Sequence, residues 1–213
     1  MNFTAELLRI PAGVATLEGA LTLPADSAGL VLFAHGSGSS RHSPRNNYVA
    51  QVLNQKKMAT LLMDLLTPDE ERNYETRFDI TLLTRRLLTA TEWMQRYPLT
   101  RSLPTGYFGA STGAAAALQA AAAMGNSIQA VVSRGGRPDL AGTDLALVQA
   151  PVLLIVGGHD FGVIDLNQAA LAQLKNVKEL AVVPGATHLF PEPGTLENAA
   201  RLAAEWFEKY LQR

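Results

Sequence analysis

Cysteine is absent from the 213-residue chain. Disulfide scaffolds, thiolate zinc sites and cysteine nucleophiles are all excluded at once. An excess of either charge is also missing: 18 Lys and Arg stand against 19 Asp and Glu, for a net charge of -1. With no basic surplus to hold a phosphate backbone, nucleic acid is not an expected partner. No apolar run reaches the roughly 20 residues that span a bilayer, so no membrane partner is expected either. Met1 to Ile10 carry neither a basic n-region nor an apolar h-region, and a cytoplasmic location follows as the expectation. The four histidines show no H-x-x-x-H or H-E-x-x-H spacing, so neither a catalytic metal nor another cofactor is expected.

What is present is enough apolar residue for a core, 47% against 17% charged. Short runs rich in Val, Leu and Ile recur at Leu30–Ala34, Ala59–Met63, Gly106–Phe108, Ala130–Val132, Pro151–Val156 and Leu180–Val183. Near-continuous runs of this kind suit parallel strands covered on both faces. Helices are expected between them, near 46–56, 77–96, 112–124, 165–174 and 195–211. In the second of these, Ile80, Leu83, Leu87, Ala90 and Met94 fall at three- and four-residue spacing. Phe3–Ile10 and Val14–Leu23 read as two antiparallel strands ahead of the alternating pattern. The expectation is one α/β domain over 1–213, with a doubly wound, mostly parallel sheet and helices on both faces. Ligands in such sheets bind beyond the carboxyl ends of the strands.

Chemistry-bearing residues collect at those ends. Gly109-Ala110-Ser111-Thr112-Gly113 fits G-x-S-x-G and lies between a strand and an Ala-rich helix. There a serine can project from a sharp turn, with glycines relieving the crowding around it. An ordinary helix N-cap is the bland reading of such a serine. A serine nucleophile needs a base, and the base needs an orienting acid. His188 follows the last apolar run and Asp160 the run before it. Singly, a loop histidine or a capping aspartate says little. Together, the order Ser111, Asp160, His188 is that of the nucleophile-elbow class. Asp139 is the alternative acid, and Asp165 a weaker one. His35-Gly36-Ser37-Gly38 follows Leu30–Ala34, where glycines let two backbone N–H groups converge on an oxyanion; the expected donors are Ser37 and Thr112. As a phosphate loop the segment lacks both the G-K-[ST] ending and a third glycine, position 41 being Arg41.

These motifs, with Pro184-Gly185-Ala186-Thr187-His188, resemble the α/β-hydrolase fold and, within it, the dienelactone hydrolase-like group. The resemblance spans essentially the whole chain. It implies ester or lactone hydrolysis by a Ser-His-Asp triad through an acyl-enzyme. Dienelactone hydrolases typically use a cysteine where this chain has Ser111, which turns the expectation from dienelactone itself toward small esters and lactones. Similar domains also occur fused to phosphoribosyltransferases, and nothing of such a partner is present in this sequence.

Only Ser133 to Ala150 separate two successive strands where many members insert a lid, so an open site without a substantial lid is expected. Arg41, Arg45, Arg134 and Arg137 fall in loops on the active-site side. Arg41 and Arg134 are the candidates to bind an anionic group on the substrate, as the family resemblance also implies. Solvation, or pairing with Asp64, Asp69, Glu70 or Asp139, is the competing fate of these arginines. Acyl transfer through the same triad, and a binding protein that keeps the fold with little turnover, are the rival functions.

Overall fold

The computed structural model describes residues 4–211. Two antiparallel strands, β1 (Ala5–Ala12) and β2 (Ala15–Thr22), open the chain, while Phe3 lies outside the described residues. Six further strands follow: β3 (Gly29–Ala34), β4 (Met58–Met63), β5 (Thr105–Ala110), β6 (Ile128–Arg134), β7 (Val152–Gly157) and β8 (Lys178–Val183). They form one eight-stranded sheet in the order β1-β2-β4-β3-β5-β6-β7-β8. β2 pairs antiparallel with β4, and every pairing from β4 to β8 is parallel.

All six residues of β3, β4, β5 and β7 are buried, as expected of strands covered on both faces. Their side chains alternate between two cores. Leu30, Leu32 and Ala34 of β3 enter one, and Val31 and Phe33 the other. The helices divide in the same way. They are α1 (Pro44–Gln55), α2 (Pro68–Arg72), α3 (Ile80–Met94), α4 (Thr112–Met124), α5 (Phe161–Gln173) and α6 (Thr195–Tyr210). α3, α4 and α5 cover the first core, and α1 and α6 the second. In α4 the residues Ala114–Leu118, Ala120 and Ala121 are all buried. Alanine favours the helix and lets its backbone approach the sheet closely.

β3 leads through α1 to β4 on one side, and the chain then returns to lay β5 on the other side of β3. The winding therefore reverses between β3 and β5. At such a switch point the crevice beyond the strand ends is open to a ligand. The connection between β6 and β7 contains only 3₁₀ turns, Pro138–Leu147, which pack against α4 and α5. The short helix α2 was not expected from the sequence, and the helix expected near 77–96 divides into a 3₁₀ turn at Thr76–Phe78 and α3 from Ile80.

Candidate active site

Ser111 stands at the end of β5, at the switch point. Its backbone has φ 51° and ψ -124°, a conformation that side chains other than glycine rarely adopt. Surrounding structure holds it there. The Ser111 N–H donates to the Arg134 carbonyl at 3.4 Å, and the Ser111 carbonyl accepts from the Arg137 N–H at 3.0 Å and the Ala114 N–H at 3.1 Å. The motif glycines are required by close approach: a Cβ at Gly109 would lie 2.5 Å from Ala114 Cα, and one at Gly113 would lie 2.2 Å from the Ala34 carbonyl oxygen. The serine makes no side-chain capping bond to α4, so its hydroxyl is not spent on the helix.

His188 and Asp160 meet: His188 Nδ1 lies 2.7 Å from Asp160 Oδ2. With Nδ1–H donating to the carboxylate, Nε2 is left to accept a proton. Asp139, the alternative acid, instead accepts from Arg137 Nε and Nη2 at 2.9 and 2.7 Å. The loop that carries His188 is pinned by Glu192, whose carboxylate accepts from the Thr187 N–H at 3.0 Å and the Thr187 hydroxyl at 2.6 Å. The hydroxyl bond holds Glu192 below the usual carboxylate range. Two residues past His188, Phe190 adopts a positive φ of 57° and buries its ring.

A cavity of about 250 Å³ joins these groups. It is lined by Gly36, Ser37 and Ser111, by His188 and Leu189, and by Arg45 and Arg134 with their neighbours. A larger cleft, about 500 Å³, lies at the opposite ends of β5 and β6, around Gln95, Arg101 and Gln129, away from Ser111.

The expected oxyanion donors are close together, and the structure adds a detail: the Ser37 N–H already donates to Thr112 Oγ1 at 3.0 Å. Thr112 is the first residue of α4, so its own N–H has no intrahelical acceptor. His35 ties the loop down. Its Nε2 accepts from the Leu65 N–H at 3.0 Å, and its Nδ1 lies 2.9 Å from the Gly36 carbonyl.

The two candidate arginines separate. Arg41 forms ion pairs with Glu18 and Asp64 and does not line the cavity, which corrects its expected contact with substrate. Its charge is already balanced. Arg134, the last residue of β6, lines the cavity with only 6% of its surface exposed. Nη2 donates to Asn46 Oδ1 at 3.3 Å, while Nε and Nη1 have no partner. The guanidinium carbon lies 6.0 and 5.8 Å from the ring centroids of Phe108 and Phe190. Burial lowers its pKa from the ordinary guanidinium value to about 10, with the Arg45 charge acting in the same direction.

Asn46, Glu192 and the Thr112 hydroxyl are contributors that motif reading missed, and Arg45, expected in a loop on the active-site side, lies in a helix. Ser43-Pro44 is a helix-start pattern, with Ser43 Oγ accepting from the Asn46 N–H and Pro44 at the first helical position, and it sets Arg45 in the first turn of α1.

No protein-family model matches the chain. Among solved structures, the chain resembles dienelactone hydrolase from Anabaena variabilis with a TM-score of 0.97 and 54% identity, over 100% of both chains. Est1E from Butyrivibrio proteoclasticus shares the fold, with a TM-score of 0.81, 18% identity, and coverage of 95% of this chain and 98% of that one. Two Mycobacterium tuberculosis strains hold curated relatives that carry a provisional phosphoribosyl transferase name, each 59% identical over 206 residues. The match takes in 97% of this chain and 46% of each relative, so the chain spans about half their length.

Proposed function

This chain belongs to the dienelactone hydrolase-like group of the α/β-hydrolase fold, and from that premise we propose that it hydrolyses a small ester or lactone through Ser111, His188 and Asp160. The observation that carries the proposal is the shared cavity. It brings a serine on a strained strand-to-helix turn together with a histidine whose Nδ1 is hydrogen-bonded to a carboxylate.

In this mechanism Ser111 Oγ attacks the ester carbonyl while His188 Nε2 takes its proton. Asp160 holds the imidazole in orientation and stabilises its charged form. The Ser37 and Thr112 N–H groups, at the positive end of α4, stabilise the tetrahedral oxyanion. His188 then protonates the leaving alkoxide. Water, activated by the same imidazole, releases the acid from the acyl-enzyme. Arg134 contributes a positive charge to the cavity, which favours an ester that bears an anionic group.

The phosphoribosyl transferase name belongs to relatives about twice this length. For the part matched here, the Ser–His–Asp grouping favours acyl chemistry. Labelling by a fluorophosphonate, with a burst and then steady turnover of a chromogenic acetate ester, tests the assignment. Ser111→Ala should abolish the label and reduce kcat by roughly a million-fold. A label that persists on that variant, or moves to Ser133, refutes it. Absence of turnover after the burst would favour a binding protein, and ester products formed with added alcohol would favour acyl transfer.

A further inference from the structure

Two guanidinium groups line one small cavity, and neither has a counter-charge. Among the described residues, the carboxylates within salt-bridge distance of arginine are matched to Arg41, Arg72, Arg77, Arg86, Arg96, Arg137 and Arg201, and none to Arg45 or Arg134. Arg134 is buried, with Nε and Nη1 unpartnered, and the Nε of Arg45 is buried and unpartnered as well. Buried charges are ordinarily paired, because an unpaired one forfeits its hydration and gains nothing in return. The same cavity takes in Ser43 and Asn46 at the start of α1, a twelve-residue helix whose positive end adds to the field.

The charge count discriminates among anions. A single carboxylate would match one guanidinium and leave the other, buried Arg134 or half-buried Arg45, without a counter-charge. A phosphate monoester carries nearly two negative charges at neutral pH and three acceptor oxygens, enough for both forks. We infer that the subsite formed by Arg45 and Arg134 binds a dianionic phosphate-type group carried by the substrate, so that the natural ester is a phosphorylated one. This rests on the hydrolase reading for the site but concerns a different part of the cavity.

The test separates the two. Binding is measured on the Ser111→Ala protein, which keeps both arginines, with methyl phosphate and acetate as probes. Methyl phosphate should bind at least tenfold more tightly than acetate. Its affinity should rise as pH climbs through the second ionisation of the phosphate, near about 6, while that of acetate changes little. Arg45→Gln in the same background should weaken methyl phosphate by roughly ten- to a hundred-fold, the worth of a charge-assisted hydrogen bond. Equal affinity for the two probes, a flat pH response, or no binding overturns the inference. A second arm asks whether the group belongs to the substrate. The 4-nitrophenyl ester of phosphonoacetate should exceed 4-nitrophenyl acetate at least tenfold in kcat/KM with the wild-type protein. If methyl phosphate binds but the phosphonate ester has no advantage, the subsite holds a free anion and the substrate assignment falls. The hydrolase reading fails by a different result, namely no turnover of 4-nitrophenyl acetate and no fluorophosphonate label.

Discussion

Replacing Arg134 with methionine should make the folded protein more stable while damaging its site. Burial, aided by the Arg45 charge, takes the Arg134 pKa from the ordinary guanidinium value down to about 10. At about 1.4 kcal/mol for each tenfold change in proton affinity, the charged form is disfavoured in the fold by roughly 3 kcal/mol. The sign follows from linkage. The unfolded chain holds this proton more tightly, so stability rises only as pH climbs from about 10 toward the ordinary guanidinium value, and at neutral pH the whole destabilisation is present. Methionine fills a similar volume without charge. It forfeits the bond to Asn46 and the contacts with Phe108 and Phe190, which return part of the gain. A net stabilisation of about 1–3 kcal/mol remains, within what removing buried charges gives elsewhere. At roughly 2–4 °C per kcal/mol for a chain of this size, thermal melts at pH 7 should show a rise of several degrees. Methyl phosphate should raise the Tm of the wild type and leave that of Arg134→Met unchanged. A variant that melts several degrees below the wild type would refute the reasoning, and would make the guanidinium a support for the Phe190 and His188 loop.

Other expectations follow from the same geometry. Asp160→Asn should lower kcat by roughly ten-thousand-fold with the fold intact, whereas Asp139→Asn, which only unpairs Arg137, should leave kcat within a few-fold in the same ester assay. Thr112→Val deprives the Ser37 N–H of its resting acceptor and should destabilise by about 0.5–1.5 kcal/mol in denaturant titrations, with Thr112→Ser restoring stability. Glu192 ionises below the usual carboxylate range because it accepts from Thr187, so its anchoring of the His188 loop is fully present above its unfolded pKa. That anchoring is lost as pH falls through the lowered folded value. Glu192→Gln should remove this acid-side step from the pH dependence of hydrogen exchange at Thr187.

The strands were legible because parallel strands buried on both faces leave unbroken apolar runs, as in Leu30–Ala34 and Val152–Val156. The elbow was legible because crowding restricts positions 109 and 113 to glycine. Strand order was not. Nothing local places β4 between β2 and β3, yet that placement creates the switch point. The arginines show the same limit. Arg41 finds Glu18 on β2 and Asp64 beyond β4, partners brought to it only by the sheet order, while Arg134 finds no carboxylate among the described residues. Occupancy of the Ser37 N–H by the Thr112 hydroxyl joins positions 75 residues apart and leaves no trace in composition or spacing.

The alanine tract of α4 bears on how Ser111 keeps its place as temperature changes. Alanine has no side-chain torsion to populate, so apart from Thr112 and Leu118 the buried face of this helix contributes almost no rotamers through which to loosen. Leucine or methionine contacts can exchange conformers while the backbone drifts. A helix face made mostly of methyl groups, with backbone pressed close at Gly109 and Gly113, has far fewer such exchanges open to it. The helix start that carries Ser111 is therefore registered on β5 by hard contact, and warming should leave the nucleophile in position until the whole seam separates. Precision at the site and cooperativity of its loss thus have a common origin in the smallest side chain that still favours a helix.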